Sequence, residues 1–86
     1  MTRDIEERIE RDFGPGSLNG IMRLLEPIYA AGMGDRIVRC CLALSTGDIS
    51  RLRHNITQAL NDYRDVIYWA EYDANDGRIH DYNNPF

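Results

Sequence analysis

Residues 49–72 run ISRLRHNITQALNDYRDVIYWAEY, and the spacing of their apolar side chains decides the fold class. At 100° per residue, Ile49, Leu52, Ile56, Ala59, Leu60, Tyr63, Val66, Ile67 and Ala70 fall within an arc of roughly 120°. Such an arc is a core-facing stripe, so the pattern predicts a long helix over about 48–72, opened by Asp48. Gly47 closes the helix before it. That preceding segment, 35–46, is apolar on nearly all sides through Ile37-Val38-Arg39-Cys40-Cys41-Leu42-Ala43-Leu44. A run of this kind suits a buried strand as well as a buried helix, and the helices flanking it favour the helix.

Further out, Leu18, Ile21, Met22, Leu25, Ile28 and Tyr29 keep helical spacing, which predicts a helix over about 17–31 with Ser17 as its cap. Pro27 lacks an N–H and restrains Glu26, so a kink or break is expected there. Ile5, Ile9 and Phe13 recur every four residues among charges, predicting a thin amphipathic helix over about 2–13 that ends at Gly14-Pro15-Gly16. After Tyr72 the composition turns to Asn, Asp, Gly and Pro, and 73–86 is expected to be an irregular tail pinned by Tyr82 and Phe86. The expected architecture is all-α: a compact four-helix, bundle-like single domain over 1–86.

Eighty-six residues allow one core, since a chain of this size buries only about 60–65% of its unfolded surface. The chain is 43% hydrophobic with a net charge of −4, which suits a globular protein. No apolar run approaches the roughly 20 residues of a bilayer span. The N-terminal residues show no secretory signal pattern, and a cytoplasmic location is expected. The two cysteines are sequence neighbours, pointing about 100° apart on a helix, so reduced, buried thiols are expected rather than a disulfide, redox or metal site. The glycosylation pattern Asn55-Ile56-Thr57 lies within a helical stretch and is set aside.

All ten cationic side chains are arginines, which excludes Schiff-base chemistry by lysine and a phosphate-loop lysine. Residues 35–54 carry +2 and residues 55–86 carry −4. Arg36, Arg39, Arg51 and Arg53 are the candidate anion-binding group, yet the basic centre is too weak to make nucleic acid the expected partner. His54 and His80 lie near acidic residues, but neither has the spacing of a metal set, and Asp73-Ala74-Asn75-Asp76-Gly77 fails the calcium-loop pattern at its first and twelfth positions. No metal or cofactor is expected.

The same helical wheel turns Asp65, Tyr68, Trp69 and Tyr72 away from the core. Large aromatics on a nominal solvent face call for an explanation. Either the tail or the first helix folds over them, or they form a surface for a partner. The functional expectation is a non-enzymatic protein-interaction module using this stripe, with a homodimer favoured over a monomer. Val38 and Leu42 are the candidate dimer contacts, unless their helix is the centre of the fold. Two alternatives stand beside it: a small-molecule site or small enzyme around His54, Tyr68 and Tyr72, and phosphate or nucleic-acid binding by the four arginines.

Overall fold

Five α-helices and no strand make up the chain: α1 (Arg3–Phe13), α2 (Leu18–Ala30), α3 (Gly34–Ser45), α4 (Ile49–Asn61) and α5 (Tyr63–Glu71). The structure, a computed structural model, describes residues 1–86. The all-α architecture is the expected one, with one more helix than the sequence pattern predicts. No helix is long and apolar enough to cross a membrane.

The additional helix comes from a break at Asp62. Its backbone is extended (φ −153°, ψ 100°), and its carboxylate accepts a hydrogen bond from the Arg64 amide at 3.1 Å. This is N-cap chemistry, for which Asp is among the preferred residues. The side chain competes with the helical backbone for the Arg64 amide, and the amide bond of Asp62 itself closes α4 on the Gln58 carbonyl. The predicted stripe is only partly buried. Leu52, Ile56, Ala59, Val66 and Ala70 are buried, whereas Ile49, Leu60 and Tyr63, placed in the same arc by an unbroken wheel, are exposed.

Pro27 has the opposite outcome. α2 runs through it to Ala30, and both the proline and Arg23, whose carbonyl it leaves without a helical partner, are exposed residues. The helix ends instead at Gly32, whose φ of +76° lets the Met33 amide reach back to the Ile28 carbonyl at 3.2 Å. That is a glycine-terminated helix end.

Helix α3 is the centre of the fold and touches each of the other four helices. Every residue from Ile37 to Leu42 is buried, which is why its sequence is apolar on nearly all sides. Val38 and Leu42, proposed above as dimer contacts, are instead fully buried in the core of this chain. Gly47 shows how closely the elements pack: a Cβ there would lie 2.8 Å from the Asp12 carbonyl oxygen of α1.

The tail folds back over α1 and α3 and is held by two carboxylates. Glu71, fully buried, accepts from Arg36 at 2.8 and 3.0 Å, from Arg78 at 2.6 Å and from the Tyr82 amide at 3.2 Å. Asp4 accepts from Arg39 at 2.8 Å and from the Phe86 amide at 3.1 Å. The Arg39 guanidinium also donates to the Tyr82 carbonyl. The route of the tail is thus set by these ion pairs, consistent with the rule that buried charge must be paired and hydrogen-bonded.

Candidate functional site

The nine residues of α5 divide cleanly between two faces. Val66, Ala70 and Glu71 are buried and Ile67 is half-buried, which leaves Tyr63, Arg64, Tyr68 and Trp69 exposed, with Asp65 half-buried and Tyr72 just beyond the helix end. Tyr68 and Trp69 each retain 48% exposure. The tail and α1 therefore do not cover them, and the covering arrangement considered from the sequence is not formed. Tyr72 is half-buried at the point where the chain leaves the helix.

These side chains are ordered by their neighbours. Tyr68 and Tyr72, one helical turn apart, stack with centroids 5.7 Å apart and an interplanar angle of 21°, an offset geometry that aromatic pairs favour. The Arg78 guanidinium lies 5.9 Å over the Tyr72 ring. Tyr68 donates its hydroxyl proton to Asp76, and Asp76 with Asp73 raises the phenol above its ordinary pKa. Asp73 in turn accepts from the Asn75 and Gly77 amides at 2.9 Å, closing the turn that presents Asp76. At the other end of the stripe, Asp65 accepts from Gln58 of α4 at 2.9 Å.

Charge on this face is one-sided. Asp65, Asp73 and Asp76 take part in no ion pair, while Asp4, Asp12, Asp62, Glu71 and Asp81 all do. Arg64, one turn before Tyr68, is committed to Asp62 through both carboxylate oxygens at 3.0 Å. Arg78 is committed to Glu71 and Asp81.

The chain matches no known protein family, no curated protein and no solved structure at a meaningful level. Its own geometry carries the functional reading.

The remaining candidates disperse. Arg36 and Arg39 are drawn into separate ion pairs, with Glu71 and Asp4, and Arg51 donates to the Thr46 hydroxyl at 3.3 Å. Only Arg53 of the four lacks such a bond and stands exposed on α4, so the arginines form no common anion site. His54 is exposed, and none of the cavities is lined by His54, Tyr68 or Tyr72. The concave site that an enzyme or small-molecule reading requires there is not formed. The widest depression, about 630 Å³, lies instead between α1 and the tail, with Arg8, Arg11, His80 and Phe86 in its walls. No group of His, Cys, Asp and Glu is arranged to hold a metal ion.

Both cysteines are buried. Cys40 donates to Glu71 at 3.7 Å and Cys41 to the Asn55 carbonyl at 3.6 Å. Burial pushes both thiols up, Cys40 with help from the nearby Glu71 charge, and Cys41 to about 12. A thiol so far from ionisation is a poor nucleophile.

Two features escape sequence reasoning. Glu71 is the hub of the tail, and its signal was a lone carboxylate only about 40° from Ile67 on the wheel. Asp73 and Asp76 complete the acidic rim around Tyr68, which only the tight turn after α5 brings about.

Proposed function

We propose that this chain is a non-enzymatic protein-interaction module whose recognition surface is the outward face of α5, formed by Asp65, Tyr68, Trp69 and Tyr72. The observation carrying this reading is that Tyr68 and Trp69 stay half-exposed although the tail starts beside them, with Asp76 bonded to Tyr68 and the later residues held on Glu71 and Asp4. Tyrosine and tryptophan supply large, stiff contact area and dominate the energetics of protein interfaces. Here the stack and the Tyr68–Asp76 bond hold them in place before any partner arrives, which lowers the ordering cost of binding. The unbridged, buried thiols support a cytoplasmic setting.

Self-association is a second reading, and a separate observation favours it. Exposed Leu60 and Tyr63 meet half-buried Met33 and Ile67 beside the break at Asp62, around two shallow depressions of about 300 and 400 Å³ that share Met33 and Tyr63. An apolar area of this kind suits an isologous contact between two copies.

The test pairs two variants. Tyr68→Ala/Trp69→Ala is expected to abolish binding to a protein partner while leaving the urea midpoint nearly unchanged. Leu60→Ser/Tyr63→Ser is expected to abolish any dimer seen by sedimentation while leaving partner binding intact. Loss of the fold in the first variant would assign the aromatics to the core and end the reading.

A further inference from the structure

We infer that the outward face of α5 takes an arginine-bearing segment of a partner protein, with a guanidinium laid on the exposed Tyr68 ring inside the rim of Asp65, Asp73 and Asp76. This rests on the interaction reading above and names the chemistry of its partner.

Three observations converge. The first is charge complementarity: the three rim carboxylates have no cationic partner within the chain, whereas the neighbouring Asp62 and Asp81 are each paired with an arginine. Asp73 and Asp76 are exposed and Asp65 is half-buried, and like charges around an aromatic patch repel one another until a cation arrives. The same charge opposes pairing of this face with itself in a second copy. The second is the ring itself. Tyr68 is 48% exposed, fixed by its stack on Tyr72 and by its hydroxyl bond to Asp76, so its electron-rich face is presented in a single orientation. A cation over such a ring is attracted by the ring quadrupole. The third is that the chain already uses this contact twice. Arg8 lies 4.5 Å over Phe86 and Arg78 lies 5.9 Å over Tyr72, the latter on the ring that stacks on Tyr68. A partner arginine would extend the same arrangement outward.

Arginine is preferred over lysine on geometric grounds. A planar guanidinium stacks on the ring and still directs N–H donors sideways to carboxylates, whereas an ammonium is a point charge that gives up more hydration. Asp73 spends one oxygen on the turn amides and keeps its other for a partner. Asp76 has one oxygen engaged with Tyr68.

The probe is an acetylated, amidated hexa-arginine peptide, titrated into the full chain at low salt and followed by Trp69 fluorescence and calorimetry, with hexa-lysine and hexa-citrulline as comparators. Binding is expected for hexa-arginine, several-fold weaker for hexa-lysine and absent for hexa-citrulline. Asp65→Asn/Asp73→Asn/Asp76→Asn keeps each hydrogen-bond acceptor and is expected to weaken hexa-arginine binding roughly tenfold, as is Tyr68→Leu. Glu6→Gln/Glu7→Gln/Glu10→Gln removes the same charge from α1 and is expected to change it less than about twofold. Equal weakening by the two triple variants would show attraction to net charge alone and overturn the inference. So would equal affinity for arginine and lysine peptides, or no binding. If the peptide fails while a protein partner still binds through Tyr68 and Trp69, the interaction reading survives and this chemistry falls. If neither binds, both fall.

Discussion

On the inward side of α5, Glu71 is fully buried and its carboxylate is met by two guanidiniums and a backbone amide. On the outward side, Asp65, Asp73 and Asp76 have only neutral hydrogen-bond partners, among rings that remain half in water. The two sets belong to one helix and the turn that follows it, so local propensity does not distinguish them. What differs is where compensation comes from. A buried charge must be satisfied within the chain or the fold fails, and the chain spends Arg36 and Arg78 there. An exposed charge is satisfied by water until a partner replaces the water. On the outward face three carboxylates lie beside half-exposed aromatic rings.

Breaking the inward side should have the largest effect. Glu71→Ala leaves two guanidiniums facing each other without their anion, and an expected loss of about 3 kcal/mol in urea unfolding follows from the removal of one partner of a buried pair. Amide exchange at Tyr82 should quicken at the same time, because its amide is bonded to the Glu71 carboxylate. A loss too small to measure would mean that the tail is held by its other contacts.

The same carboxylate sets an acid dependence. Burial alone would raise Glu71, but hydrogen bonds from Arg36, Arg78 and the Tyr82 amide hold it down at about 2, against an ordinary 4.5. Its stabilisation is therefore complete above about pH 4.5 and is lost as the pH falls towards 2, where the folded form takes up its proton. Asp4, held low by Arg39, adds to the loss at the acid end of that range. Glu71→Gln should flatten the unfolding free energy over this interval; an unchanged acid slope would assign the dependence to other carboxylates.

A smaller effect sharpens the comparison between sequence neighbours. Val66 is fully buried, and Val66→Ala should cost about 2 kcal/mol. Asp65→Asn, one residue away on the other face, should stay within about 0.5 kcal/mol. Equal costs would mean that the two faces are not distinct.

Much of this division was legible in the sequence. The wheel separated Val66 and Ala70 from Tyr68 and Trp69 correctly, and the all-apolar run of α3 left two readings open, a central helix or a subunit contact through Val38 and Leu42, of which the fold forms the first. The break at Asp62 was not legible, because Tyr63 continues the apolar spacing and aspartate inside a helix resembles aspartate at a cap until its backbone is seen. The path of the tail was equally hidden. It depends on pairings between residues 35 positions apart, such as Arg36 with Glu71 and Asp4 with Arg39, and no local pattern encodes them. The four central arginines looked like one group in the sequence, and those same pairings draw Arg36 and Arg39 away from Arg51 and Arg53.

The claim that the outward face of α5 is both open and negatively charged is tested most directly by quenching the fluorescence of Trp69, the sole tryptophan, with caesium and with iodide at matched ionic strength. Each rate is normalised to free N-acetyltryptophanamide. The account predicts that both ions reach the indole and that caesium is favoured over iodide, with the preference abolished in Asp65→Asn/Asp73→Asn/Asp76→Asn. An indole that neither ion quenches in a monomer, or one that iodide quenches better, would contradict it.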